Sequence, residues 1–308
     1  MTDAWSIVRA AAGASEGLAR EKQPAPFSLS ADDELRPAEV GDRDAILLWR
    51  PGAGWEALLR QDDPRKALVD LYLPICSATT TRPITVGHLG QSLDGFIATH
   101  SGESQWVTGP ENMLHMHRLR ALCDAVIVGA GTVAADDPQL TTRLVDGPNP
   151  LRVVLDPARR LTTSRRVFTD GAAETLYVCA RSLAGSAERQ FGRAAVAPMP
   201  DTAEGGVDVT ELMRMLRARG CARVFVEGGG VTVSMFLEAN LLDRLHVAVA
   251  PLLIGDGRPA IRFPPPDTLG ECHRSRYRVF RMGGDVLFDL EMESRHPEGS
   301  DNQVSQII

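Results

Sequence analysis

Two glycine-rich turns, each entered from an apolar run, are the features of this chain with the most chemical consequence. Residues 126–133 read VIVGAGTV, and residues 224–237 read VFVEGGGVTVSMFL. A glycine turn at the end of a buried strand lets backbone N–H groups approach an anion with no Cβ in the way. In the first turn Gly129 and Gly131 supply that freedom. It is not the G-x-G-x-x-G dinucleotide fingerprint, because Ala134 stands at the third glycine position. In the second turn Gly228, Gly229 and Gly230 open directly into a helical pattern, whose first amides and dipole suit a pyrophosphate. Glu227, at the strand tip, is a poor phosphate neighbour and a good acceptor for hydroxyl or amino groups. Each turn taken singly also reads as a plain strand-to-helix connection. Two in one chain weaken that reading.

Further candidates lie close to the first turn. AADDPQLTTR, residues 134–143, ends in Arg143, and Arg120 closes the helical pattern that precedes the strand. Two arginines flanking one loop suit a substrate phosphate, because the guanidinium fork grips phosphate bidentately. Solvated surface arginines are the alternative. SLDG, residues 92–95, reads as a hairpin with Asp-Gly at its tip. The five cysteines, Cys76, Cys123, Cys179, Cys221 and Cys272, are scattered with no C-x-x-C pair, so no metal site is expected.

These residues need a scaffold that brings strand ends together. Strand patterns fall at 84–89, 125–128, 151–155, 175–179, 223–226 and 245–250, with a closing hairpin from 280–282 and 286–290 around Gly283-Gly284-Asp285. Helical patterns fall at 112–122, 210–218 and 231–239. Strand and helix alternating in this way predict an α/β layer structure with a central, mostly parallel sheet flanked by helices. In such sheets ligands gather at the carboxyl ends of the strands, where both glycine turns lie. Three regions follow: an N-terminal extension of unknown role at 1–82, an α/β domain at 83–293, and a polar tail at 294–308 expected to be disordered.

Bulk properties narrow the function classes. A formal net charge of -7 gives no electrostatic footprint for nucleic acid. The longest apolar runs are too short to span a bilayer, and the N-terminus lacks a signal-peptide layout, so a cytoplasmic protein is expected.

Taken in order, GHLGQSLDGFIA, SGESQWVTG, HRLRALCDAVIVGAGTVAADDPQLTTR, NPLRVVLD, VFVEGGG and LLDRLHVAVAPLLIG resemble the reductase domain of the bifunctional riboflavin biosynthesis protein. The resemblance covers residues 83–290 and implies a dihydrofolate-reductase-like fold, usually dimeric. It implies NADPH-dependent reduction of the ribosyl group of a phosphoribosylamino-pyrimidine to ribityl. By motif position, Gly90, Trp106, Thr132 and Asp136 match cofactor contacts, as does the stretch holding Gly229, Gly230, Val231, Thr232 and Met235. Ser104, Arg120, Leu140, Arg143 and Glu227 match substrate contacts.

Two departures bear on function. Members of that family carry a zinc deaminase ahead of the reductase, with H-x-E and P-C-x-x-C motifs, and neither occurs in residues 1–82. Where the family commonly has lysine before SLDG, this chain has His88, the candidate here, with Glu227, for a catalytic role and for proton delivery near neutral pH. Arg159 and Arg160 follow the strand at 151–155 and are candidates for a cofactor 2′-phosphate. The alternatives are a same-fold reductase of a dihydropterin or a diamino-pyrimidinone nucleotide, and a non-catalytic NADPH-binding regulator.

Overall fold

The computed structural model of the protein describes residues 3–30, 32–203, 205–264 and 267–292. The polar tail expected at 294–308 lies outside the described residues. The chain divides into two compact units, Met1–Ile84 and Thr85–Ile308.

The first unit runs α1 (Ala4–Leu18), β1 (Ala25–Leu29), β2 (Leu35–Pro37), β3 (Leu47–Arg50), β4 (Gly54–Ala57) and α2 (Lys66–Cys76). Its four strands form an antiparallel sheet in the order β2-β1-β3-β4. Asp3 caps α1 by accepting from the amides of Trp5 and Ser6, which satisfies two otherwise orphaned donors. Ile7, Val8 and Ala11 of α1 and Val69, Tyr72 and Ile75 of α2 are buried. Trp49 and Trp55 meet edge to face at 5.2 Å, and the Trp55 indole N–H donates to the Ala11 carbonyl and Ser15 Oγ. The region without a recognisable motif thus has a hydrophobic core of its own.

The second unit begins with β5 (Ile84–Ser92), β6 (Phe96–Thr99), α3 (Pro110–Leu122), β7 (Ala125–Gly129), α4 (Ala130–Asp136), β8 (Leu151–Leu155), α5 (Arg166–Thr169) and β9 (Thr175–Ala180). It continues with β10 (Gln190–Phe191), β11 (Ala194–Met199), α6 (Val209–Ala218), β12 (Arg223–Glu227), α7 (Gly230–Glu238), β13 (Arg244–Ala250), β14 (Gly257–Pro259), β15 (Arg276–Met282) and β16 (Asp285–Glu291). Ten strands form one sheet in the order β10-β11-β9-β8-β7-β12-β5-β13-β16-β15. The pairs β11/β9, β9/β8, β8/β7, β7/β12 and β13/β5 are parallel, and the strands at both edges pair antiparallel. Helices cover the sheet, which is why central strands read as unbroken apolar runs: Val126, Ile127, Val128, Val153 and Val154 are all fully buried. One core joins Ile127, Val153, Val178 and Val224 to Leu212 and Leu216 of α6 and to Val233 and Phe236 of α7.

SLDG is not the tip of a two-stranded hairpin. β5 joins the large sheet, whereas β6 pairs with β14 in a separate two-stranded sheet. Asp94 instead accepts from the amides of Ile254 (3.0 Å) and Gly255 (2.7 Å), tying the turn to the segment after β13.

Candidate active site at the strand ends

Parallel register sets the site. Val226 of β12 lies beside Ile127 of β7, so the two strands run out together into Gly228 and Gly129. Gly129 has ordinary extended backbone (φ -81°), yet a Cβ there would overlap Thr232 Oγ1 of α7. Gly229 (φ +78°) mirrors this, since its Cβ would sit 2.8 Å from Thr132 Oγ1 of α4. Each turn's glycine therefore makes room for the other turn's threonine. A Cβ on Gly230 would overlap the carbonyl of Ala260, so the start of α7 is packed against the segment after β14. Gly131 and Gly228 (φ +42°) face open space, leaving backbone there accessible. Val231 is exposed, Thr232 buried, and Met235 packs on the core. The open backbone at Gly131 and Gly228, at adjacent strand ends, fits a dinucleotide's diphosphate, while Gly129, Gly229 and Gly230 serve the close packing of the two turns.

Beneath the second turn, Glu227 and Arg120 form a bidentate pair. Arg120 Nε donates to Glu227 Oε2 at 2.7 Å and Nη2 to Oε1 at 2.5 Å. Both residues are about 5 % exposed, and Arg120 Nη1 also reaches the Thr141 carbonyl at 3.3 Å. The expectation that Arg120 presents its fork to a phosphate is corrected here: the fork is taken by Glu227. Arg143 is the exposed arginine of the two. Its amide donates to His117 Nδ1 at 2.9 Å and its Nη1 to Thr141 Oγ1 at 2.5 Å. Partial burial and the nearby charges of Arg120 and Arg166 push its guanidinium pKa down, the signature of cations crowded at one rim.

Two of the non-glycine residues matched by the resemblance have strained backbone. Trp106 sits at φ +69° with its side chain 83 % exposed, and Leu140 at φ +55° with its side chain wholly buried. Such residues cost about 1–3 kcal/mol each and cluster at functional sites. Only the backbone of Leu140 can meet a ligand. Ser104 lies in the same loop as Trp106, half-buried. A Cβ on Gly90 would touch Thr108 and Asn112 at 3.0–3.2 Å, so β5 and the start of α3 press close. Asp136 is exposed at the end of α4, and its carboxyl pKa is raised, first by partial burial, with Arg258 opposing and Glu227 adding to it.

His88 requires correction. It is 2 % exposed, its Nε2 donates to Asn112 Oδ1 at 2.9 Å, and its ring lies 5.3 Å from that of His115. Burial, then the charges of His246 and Arg120, push its pKa from 6.5 to about 3. A sealed, neutral imidazole cannot deliver a proton as an exposed acid at neutral pH. It belongs instead to a buried polar column: His115 Nε2 meets His246 Nδ1 at 3.1 Å, and His246 Nε2 lies 3.3 Å from Asp289, which Arg244 grips at 2.7 and 2.8 Å. Nothing in the sequence flagged this column, because its members come from α3, β5, β13 and β16. Arg159 is likewise withdrawn as a 2′-phosphate candidate, since Glu188 takes its fork at 2.5 and 2.6 Å.

Among the described residues no group of three or more His, Cys, Asp or Glu is placed to hold a metal ion, and no helix is long and apolar enough to cross a membrane. A mostly parallel sheet with two interlocked glycine turns at adjacent strand ends is the class of α/β fold that gathers its ligands at those ends. The family is then plain: the model of the RibD C-terminal domain matches residues 84–282, and the chain belongs to that family. It is 33 % identical over 218 residues to the 2,5-diamino-6-ribosylamino-4(3H)-pyrimidinone 5′-phosphate reductase of Methanothermobacter thermautotrophicus, covering 69 % of this chain and 99 % of that protein. It is 32 % identical over 217 residues to the riboflavin biosynthesis protein RibD of Escherichia coli, covering 66 % of this chain and 58 % of that one. Among solved structures, a deaminase/5-amino-6-(5-phosphoribosylamino)uracil reductase of Thermotoga maritima superimposes with a TM-score of 0.59 at 27 % identity, over 75 % of this chain and 62 % of that one. The chain is an oxidoreductase of this reductase family, which implies a nicotinamide cofactor.

Proposed function

We propose that the chain reduces the ribosyl group of 5-amino-6-(5-phosphoribosylamino)uracil to ribityl, with NADPH as hydride donor, in riboflavin biosynthesis. The observation that carries this reading is the adjacency of two different anion-receptive features. Open backbone at Gly131 and Gly228, at the tips of the two interlocked turns, suits a dinucleotide, and a separate arginine at Arg143 suits a second, smaller phosphate. A non-catalytic nucleotide binder has no use for the second.

When bound, NADPH supplies the hydride that the opened ribosylamine accepts at C1′. The chain's own residues position and shield. Thr132, Asp136 and Trp106 face the cofactor side, and Gly129, Gly228, Gly229, Gly230 and Thr232 shape its cradle. Arg143 and Ser104 hold the substrate 5′-phosphate, with the backbone of Leu140 beside them. Glu227, its charge balanced by Arg120, accepts from hydroxyl or amino groups of the ribose or pyrimidine. Residues 83–293 form the catalytic unit, acting as a cytoplasmic homodimer without nucleic acid, membrane or metal.

The same-fold alternative, reduction of the 2,5-diamino-pyrimidinone nucleotide, is favoured by one observation: the archaeal reductase named for that substrate is matched over 99 % of its length. NADPH oxidation by the purified protein with each nucleotide in turn separates the two, and faster turnover of the uracil compound is expected. Arg143→Ala is expected to raise the KM for the nucleotide about tenfold or more while leaving that for NADPH within about twofold. Equal rises in both would remove the phosphate assignment.

A further inference from the structure

Arg258 is a cation that neither the motifs nor the family comparison assigns to the site. It lies in β14, and its surroundings are held by several independent ties. Asp94 accepts from the amides of Ile254 and Gly255, and the Ala260 amide donates to the Gly95 carbonyl at 2.9 Å. β14 pairs with β6, and Gly257 lies so close to the Ala98 carbonyl that a Cβ would overlap it. The SLDG turn thus acts as a clasp that fixes where residues 254–260 run. The carbonyls of Pro259 and Ala260 pack directly on Gly230, the first residue of α7, which sets Arg258 next to the second glycine turn.

The guanidinium is then steered from the other side. Gly102 (φ +95°) lies in the loop that carries Ser104 and Trp106, and a Cβ there would be 2.7 Å from Arg258 Nη2. The side chain is therefore laid against that loop, and its charge acts on Asp136 at the end of α4. It is exposed, and it forms no ion pair among the described residues. The acid two residues before it, Asp256, is engaged by His100 at 2.8 Å, and Glu227 is engaged by Arg120. An exposed guanidinium beside the glycine turns, in no ion pair among the described residues and with Asp136 as the acid its charge reaches, is a ready anion contact.

We propose that Arg258 binds the diphosphate of the nicotinamide dinucleotide, closing over it opposite the Gly228–Gly230 turn. The proposal rests on the reading of those turns as the cofactor cradle. It assigns the cofactor's anion to Arg258 and leaves the substrate's phosphate to Arg143. Asp136, facing Arg258, is then free to accept from ribose hydroxyls.

The test is cofactor binding by the full-length protein without substrate, measured by calorimetry for wild type, Arg258→Gln and Arg258→Lys. Melting temperatures of all three confirm folding, which an exposed side chain leaves intact. The expected result is an NADPH Kd raised about tenfold or more in Arg258→Gln and by less in Arg258→Lys, with the nucleotide KM within about twofold. Inorganic pyrophosphate is expected to compete with NADPH on the wild type and to lose potency in Arg258→Gln. An unchanged NADPH Kd in Arg258→Gln, or a rise confined to the nucleotide KM, overturns the proposal while leaving the cofactor cradle in place. A wild type that binds no NADPH overturns the cradle reading itself.

Discussion

The residues of this site divide into those whose role is written locally and those whose role depends on strand order. Gly131 and Gly228 belong to the first kind, because each leaves backbone open at a strand end, whereas Gly129, Gly229 and Gly230 are glycine because of what packs on them from elsewhere in the fold. The pairing of Arg120 with Glu227 belongs to the second: 107 residues separate them in sequence, and only the β7/β12 adjacency makes them partners. His88 is the clearest case. Its position before SLDG suggested an acid, but strand β5 points the ring inward among His115, His246 and Asn112. That burial predicts a measurable pH dependence. The pKa of His88 is held near 3 and that of His115 well below the usual 6.5 by burial first and neighbouring charge second. In the unfolded chain both titrate near 6.5, so below that pH the unfolded state binds protons the native state refuses, and stability falls as pH falls. Their contribution is complete above about pH 6.5 and declines by up to about 1.4 kcal/mol per histidine per pH unit below it. Urea unfolding at about pH 7.5 and about pH 5.5 should show this loss, and His115→Asn should flatten it. A stability that is level across that range would mean that the imidazoles are charged in the native fold.

At the scale of elements, the legible parts were those buried on both faces. Strands β7, β8, β9, β12 and β13 announce themselves as apolar runs because helices cover both sides of the sheet. Of the strands that sequence reading missed, β10 is a two-residue edge strand and β6 and β14 form the small separate sheet, where pairing partners rather than composition decide the structure, while β11 is a half-buried strand next to that edge. The same holds for β1 to β4, whose interrupted apolar residues carry no long periodic signal. Positive φ at Trp106 and Leu140 was also illegible, since neither residue type favours it. The interlock of the two glycine turns is an element-scale property with a direct test. Gly129→Ala introduces no backbone strain at φ -81°, so its whole cost is the overlap with Thr232 Oγ1. A loss of about 1–3 kcal/mol is expected. Thr232→Ala removes that oxygen and leaves its Cβ at an ordinary 3.7 Å, so the double variant should regain most of the loss. Urea unfolding of all four proteins gives the coupling energy. Strict additivity would show that the turns do not touch as described.

At the scale of the whole molecule, the family model stops short of the first unit, matching only residues 84–282. The Methanothermobacter reductase is matched over 99 % of its length by 218 residues of alignment, so a relative of about the size of the second unit stands as a named reductase by itself. The first unit nevertheless carries its own core, and three of the four tryptophans, Trp5, Trp49 and Trp55, are in it. The fourth, Trp106, is in the second unit and exposed. Trp49 and Trp55 are buried, so tryptophan emission reports mainly on unfolding of the first unit, while circular dichroism reports on both. A ligand that binds only the native second unit raises its stability by RT ln(1 + [L]/Kd), about 2.7 kcal/mol at a hundredfold excess over Kd. Added NADPH should therefore shift the main dichroism transition in urea to higher concentration and leave the tryptophan transition where it was. A chain starting near residue 83 should keep the shifted transition and its NADPH-dependent turnover. If emission and dichroism instead move together with NADPH, the two units unfold as one cooperative block, and residues 1–82 contribute to the stability of the catalytic unit.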